Sequence, residues 1–309
     1  MAALDCGTNS LRLLVTDLDP ATGAQRDLDR RLRIVRLGEG VDRTGALAPA
    51  AVARALAAVQ EYAGACAAHR IERVRVGATS AVRDAADAAR FVAGVRDLMG
   101  VEPEVLSGDE EARLSATGAL LGLPTPPPQP ALVVDIGGGS TELVAARRTG
   151  RTVEVLHGRS LDVGSVRLTE RHLRADPSTA AQRASAIADV DAALDLADVD
   201  WAAVASVVGV AGTVTSVAAH ALGMQAYDPA RIHGAVLTRS DVLASCQWFA
   251  QASVEERLRL PWLPLGRADV IGGGALVLDR VLRRLPERVG DLVVSECDIL
   301  DGLAWSLVE

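Results

Sequence analysis

The sequence predicts an α/β protein built from two similar halves that face one another across a cleft, and three observations lead there. Apolar runs of strand length alternate with Ala-rich stretches of helical spacing along the whole chain. One short pattern, apolar-Asp-x-Gly-[Thr/Gly]-x-Ser, occurs twice, at Leu4–Ser10 and at Val134–Ser140. Finally, 309 residues with 49% apolar composition exceed one small domain, because single cores stop growing near ~250 to 300 residues.

Taken in order, strands are expected at Ala2–Leu4, Leu11–Thr16, Arg31–Leu37, Arg73–Gly77 and Glu104–Leu106, then at Ala131–Asp135, Glu142–Ala146, Thr152–Leu156, Ser206–Val210 and Asp291–Ser295. Pro49–His69, Ser80–Met99 and Thr179–Leu196 carry Ala, Leu, Arg and Glu at amphipathic helical spacing, with Pro49 suited to a first helical position. Gly122–Pro130 holds five prolines, which enter neither a helix nor a central strand, so it reads as a boundary or crossover. The resulting division is 1–122 and 123–298, with a final helix at 299–309 packing back on the first half.

Composition removes several function classes. All 32 basic residues are arginine, so Walker A loops, kinase-type phosphate lysines and Schiff bases are excluded. A formal charge of −8 and 3% aromatics argue against a nucleic-acid groove. The longest apolar stretches, such as Ala202–Ala211, are far shorter than the ~18 to 20 residues of a spanning helix, and no basic segment precedes an apolar one at the start. With four widely spaced cysteines, a soluble, cytoplasmic protein with reduced thiols is expected, without nucleic-acid or membrane partners.

The duplicated turn carries the chemistry. Each copy lies between two strands, whereas a dinucleotide or P-loop site places its glycine turn between a strand and a helix. Consecutive glycines at Gly137, Gly138 and Gly139 let backbone N–H groups converge on phosphate oxygens, and Ser140 and Thr141 add hydroxyls. The first copy offers Thr8, Asn9 and Ser10. Asp5 and Asp135 at the strand ends would repel such a ligand unless a hard cation lay between, and Mg²⁺ suits carboxylate, water and phosphate oxygens; Glu142 re-enters the same cleft. In Ser107-Gly108-Asp109-Glu110-Glu111, Ser107 and Glu110 fit a capping box, which leaves Glu111 free to serve as general base on water. Arg83, one turn into a helix behind Thr79-Ser80, aims a permanently charged fork at an anion, and Gly212-Thr213 opens a further helix as a second anion contact. Arg231 and Arg267 complete a candidate arginine track. No His-x3-His spacing suggests zinc, and no Gly-x-Ser-x-Gly elbow suggests a serine hydrolase.

Together the segments Asp5–Ser10, Thr79–Ala85, Ser107–Leu114, Asp135–Leu143 and Gly209–Thr213, in this order and spacing, resemble the exopolyphosphatase/guanosine pentaphosphate phosphatase (Ppx/GppA) family in its short, two-domain form. The resemblance implies two ribonuclease-H-like domains of the actin, Hsp70 and sugar-kinase superfamily flanking a phosphate-binding cleft. It implies Mg²⁺-dependent release of terminal phosphate from polyphosphate, with Mn²⁺ as a substitute and guanosine pentaphosphate as a further substrate, and a homodimer, for whose interface the apolar Trp248, Phe249 and Trp262 are candidates. On this resemblance Glu111 is the base, Asp135 and Glu142 are the carboxylates of metal-assisted catalysis, joined at the metal by Asp5 on the charge argument above, and Asn9, Ser10, Arg83, Gly137, Gly138, Ser140 and Thr141 contact phosphate. Asp87 and the acidic Ser295–Gly302 segment depart from the commoner pattern and place extra negative charge near the cleft. An ATP-dependent small-molecule kinase and a non-catalytic polyphosphate sensor are the competing expectations.

Overall fold

The computed structural model describes residues 1–308. The first half runs β1 (Ala2–Cys6), β2 (Ser10–Leu18), β3 (Gln25–Ile34), α1 (Val41–Thr44), α2 (Pro49–Ala68), β4 (Val74–Ala78), α3 (Ser80–Arg83), α4 (Ala88–Met99) and β5 (Glu104–Val105). Helix α5 (Gly108–Gly122) then leads to β6 (Ala131–Ile136), β7 (Thr141–Thr149), β8 (Thr152–Leu161), α6 (Ser165–His172), α7 (Ala180–Asp195), β9 (Ser206–Val210) and α8 (Ala211–Ala221). The chain finishes with α9 (Pro229–Ile232), β10 (Val236–Thr238), α10 (Arg239–Gln251), α11 (Val254–Leu258), α12 (Leu265–Ala268), α13 (Ile271–Arg284), β11 (Asp291–Val294) and α14 (Ile299–Trp305).

Two mixed sheets result, ordered β3-β2-β1-β4-β5 and β8-β7-β6-β9-β11-β10. Both begin with a three-stranded antiparallel meander whose first strand pairs in parallel with a later one, β1 with β4 and β6 with β9. The duplication in sequence is thus a duplication of topology. Registers repeat as well: Asp5 lies opposite Arg12, and Asp135 opposite Glu142.

β1 and β6 are buried along their full length, because helices cover both faces. Helices α2 and α4 close one face of the first sheet around Tyr62, Phe91 and Val95, and α8, α10 and α13 close the second around Phe249, Val277 and Leu282. Helix α5 lies between the sheets: Ala112, Ala116 and Ala119 pack on β6 and β7, while Leu114 meets Leu300 and Leu303 of α14. Helix α14 in turn packs on β1 and β2. The last helix was expected at 299–309, but its regular part ends at Trp305, and residue 309 lies outside the described residues.

Several expectations are corrected. The single helix expected over Ser80–Met99 is two, separated by Asp84–Asp87; Asp87 accepts from the Leu47 N–H at 2.8 Å and begins α4, which explains its charge without reference to the cleft. β3 starts six residues earlier than expected and stops at Ile34, since the Val35 and Arg36 N–H groups turn to the Asn9 carbonyl. Trp248 and Phe249 pack within the second core, Phe249 fully buried, and the Trp262 indole N–H donates to the Met224 carbonyl. Of the three only Phe249 is fully buried; Trp248 and Trp262 are half-buried against that core.

Candidate active site

The two glycine turns meet at the floor of the cleft. Each is closed by one backbone bond, Gly7 N–H to the Ser10 carbonyl at 3.1 Å and Gly137 N–H to the Ser140 carbonyl at 3.0 Å. In the first turn the Thr8 carbonyl accepts from Gly38 N–H, and the Asn9 carbonyl from Val35 and Arg36 N–H. A trans peptide points its N–H away from its C=O, so the N–H groups of Asn9 and Ser10 face the cleft.

Four carboxylates converge beside these donors. Asp135 and Glu142 are adjacent in register on β6 and β7; Asp135 accepts from Ser115 Oγ at 2.5 Å and Glu142 from Ser160 Oγ at 2.7 Å. Glu111, in the first turn of α5, is only 7% exposed and pairs with Arg83 at 2.7 Å. Burial pushes Asp135 and Glu111 up to about 7; for Asp135 the Asp298 charge adds to this, while Arg83 partly offsets it for Glu111. Glu142 is raised well above its ordinary range by burial and by Glu111 and Asp135. Asp5 is raised by burial but countered by Arg12, which donates from Nε at 2.9 Å and Nη2 at 2.7 Å to one carboxylate oxygen. The other oxygen, Oδ1, is buried without a partner.

Sequence reasoning located most of the cleft. Thr8, Asn9 and Ser10, the three glycines Gly137, Gly138 and Gly139, and Ser140 line it; so do Gly212 and Thr213 at the start of α8. Asp5, Glu111, Asp135 and Glu142 complete the wall. Three assignments need correction. Thr141 is fully buried and its hydroxyl donates to the Val163 carbonyl at 2.6 Å, which leaves it nothing to offer a phosphate. Arg83 stands behind Glu111, donating to that carboxylate and to the Leu106 carbonyl rather than into the cleft. The Asn9 side chain donates across to the Gly266 carbonyl at 3.0 Å, so its phosphate contact reduces to its backbone N–H.

Arg12 and Asp298 were missed. Arg12 cross-links Asp5 to Asp298, the residue before α14. The signal was present in the repeat: Arg12 follows Asp5 by the same seven residues that separate Glu142 from Asp135. Asp298 is therefore compensated by Arg12, and Asp301 by Arg30, whereas Glu296 of the same segment accepts from the Tyr227 hydroxyl at 2.7 Å. Of the arginine track, Arg231 is exposed on α9, while Arg267 enters the cleft wall with a side-chain bond to Ser216 Oγ at 3.3 Å and no carboxylate partner among the described residues. A Cβ at Gly212 would lie 2.7 Å from its Nη2, so a larger residue there would displace the Arg267 guanidinium.

Among the described residues no three His, Cys, Asp or Glu side chains are close enough together to hold a metal by themselves. Arg12 engages one oxygen of Asp5, so the trio Asp5, Asp135 and Glu142 does not by itself make up such a cluster. What remains fits a hard cation completed by substrate oxygens: two mutually repelling carboxylates, Asp135 and Glu142, and the unpartnered Asp5 oxygen. No helix among the described residues is long and apolar enough to cross a membrane.

Two sheets of this order, joined at a cleft of glycine turns and buried carboxylates, define the actin-like two-domain fold. The chain belongs to the Ppx/GppA phosphatase family, whose model matches residues 19–308. It is 44% identical to Exopolyphosphatase 2 of Mycobacterium tuberculosis, over 99% of this chain and 98% of that protein. Among solved structures it superposes on an exopolyphosphatase-like protein with a TM-score of 0.91 at 40% identity, covering 99% and 98% of the two chains. An Aquifex aeolicus member of the Ppx/GppA family gives 0.80 at 30% identity, covering 99% and 96%.

Proposed function

We propose that this phosphatase is an exopolyphosphatase that releases terminal orthophosphate from inorganic polyphosphate with Mg²⁺, or Mn²⁺ in its place. The observation that carries the reading is Glu111, a buried carboxylate at about 7, on the same wall as Asp135 and Glu142 between two turns of N–H donors. The name of the 44% identical mycobacterial relative supports the same substrate. Guanosine pentaphosphate ends in the same kind of phosphoanhydride and is the second substrate proposed.

The residues divide the work. The N–H groups of Asn9, Ser10, Gly138, Gly139 and Ser140 stabilise charge on the terminal phosphoryl group, with Arg267 on the chain behind it. Glu111 accepts a proton from water as its oxygen attacks phosphorus; the phosphoanhydride P–O bond breaks, and the shortened polyphosphate leaves with the electron pair. Arg83 keeps Glu111 ionised enough to act near neutrality. A bound cation, held by Asp135 and Glu142 beside Asp5, would neutralise phosphate charge. Orthophosphate release from short polyphosphate, long polyphosphate and guanosine pentaphosphate, each with and without Mg²⁺, tests the reading. Release from polyphosphate without an acceptor is expected; ATP-dependent phosphorylation of a sugar or acid, with no release from polyphosphate, would overturn it.

A further inference from the structure

The turn at Gly137–Gly139 owes its orientation to the start of α6. Ser165 N–H donates to the Gly137 carbonyl at 2.9 Å, and the Val166 and Arg167 N–H groups donate to the Gly138 carbonyl at 2.9 and 3.1 Å. The Arg167 side chain adds the last anchor, Nε to the Gly139 carbonyl at 2.6 Å. With three successive carbonyls held on one side, the N–H groups of Gly138, Gly139 and Ser140 are turned to the cleft. A Cβ at Gly164 would lie 2.6 Å from the Gly138 oxygen, so α6 begins in direct contact with the turn. The carbonyls of Thr8 and Asn9 in the first turn are held by backbone N–H groups, whereas a side chain, that of Arg167, holds the Gly139 carbonyl of the second.

The far end of that side chain belongs to the other half. Arg167 Nη1 donates to Asp42 Oδ1 at 2.6 Å, and Nη2 to Asp84 Oδ2 at 2.5 Å and to Ser80 Oγ at 3.4 Å. Asp42 lies on α1 and Asp84 ends α3, and the Arg167 side chain is 10% exposed between them. Three acceptors in three directions match a planar guanidinium fork and not a lysine ammonium.

We propose that Arg167 is a positioning residue that ties the phosphate-binding turn of the second half to Asp42 and Asp84 of the first, so that the donors at 138–140 face the substrate only while the halves are joined. The inference deepens the exopolyphosphatase reading and rests on it for the identity of the substrate.

Binding of tripolyphosphate by calorimetry, alongside kcat and KM for phosphate release, tests it in wild type, Arg167→Met, Arg167→Lys and Asp84→Asn. Both Arg167 variants should bind tripolyphosphate about tenfold more weakly and lose about 100-fold in kcat, the cost of a misplaced site. Asp84→Asn should give part of that loss in wild type and add little in the Arg167→Met background. A folded Arg167→Met protein with wild-type affinity and kcat overturns the proposal whatever its melting temperature, as does rescue by Arg167→Lys. If Arg167→Met does not fold, full wild-type binding and kcat in Asp84→Asn overturns it. Tripolyphosphate binding that depends on Arg167, without phosphate release by wild type, would sink the exopolyphosphatase reading and leave the positioning role standing.

Discussion

Gly118 of α5 and Gly302 of α14 bring the two helices into backbone contact: a Cβ at Gly118 would overlap the Asp298 carbonyl oxygen, and one at Gly302 the Leu114 carbonyl oxygen. The crossing sets the height of Asp298, which holds Arg12 against Asp5 at the cleft floor. Gly118→Ala or Gly302→Ala must push the helices apart, and each should cost about 3 kcal/mol of stability. Denaturant unfolding checks this; a change under about 0.5 kcal/mol, the range of neutral surface substitutions, would contradict it.

Glu111 and Arg83 predict a pH profile. With Glu111 at about 7, phosphate release should rise as pH climbs through that value, because the base acts ionised. Arg83 holds Glu111 down, so Arg83→Met should move the rising limb to higher pH and lose more activity at pH 7 than at pH 9. Glu111→Gln should lower kcat by about 10² to 10⁴ with KM little changed. A profile that Arg83→Met leaves in place would contradict the pairing.

In the proposed mechanism Glu142 serves catalysis at the expense of the fold. It is 1% exposed and its folded-state affinity for a proton is raised, so the folded protein binds more protons than the unfolded chain above the ordinary glutamate range. Stability therefore falls as pH rises through that window, so the buried Glu142 carboxyl is a cost to the fold at alkaline pH. Glu142→Gln keeps an acceptor for Ser160 and should raise Tm by about 2 to 4 °C in metal-free protein at pH 8, while abolishing turnover. Equal or lower Tm would refute the electrostatic account.

Arg267 is a cation without a carboxylate partner among the described residues, and burial lowers its proton affinity. Such a charge awaits an anion. Arg267→Met should raise KM for polyphosphate about tenfold and flatten its dependence on salt, without loss of stability. Unchanged KM would remove it from the substrate path.

The legible parts of this protein are those where local chemistry is forced. A strand ending in Asp-x-Gly, followed by a hydroxyl and another strand, has one economical geometry, so both turns and Asp5, Asp135 and Glu142 could be placed. Ser107 does accept from the Glu110 N–H at 3.2 Å, which left Glu111 as the unexplained acid; the box is only half formed, since the Glu110 carboxylate goes to Arg75. The break at Asp84–Asp87 was illegible because alanine keeps helical spacing on either side, and the residues that end the helix bond to Arg167 and Leu47, far along the chain. β3 was mislocated because Gln25–Ile34 is largely solvated and charged, and only its pairing with β2 reveals it.

Sequence alone determined the duplicated α/β frame, the two glycine turns that line the cleft and the absence of lysine chemistry, because each follows from residue type and short spacing. Tertiary structure decided which charges are free. Arg83 is committed to Glu111, Arg12 to Asp5 and Asp298, and Arg167 to both halves, while Arg267 alone of these has no carboxylate among the described residues. An arginine reads the same in any sequence; its role depends on which carboxylate the fold brings within 3 Å, and those partners lie between seven and 286 positions away.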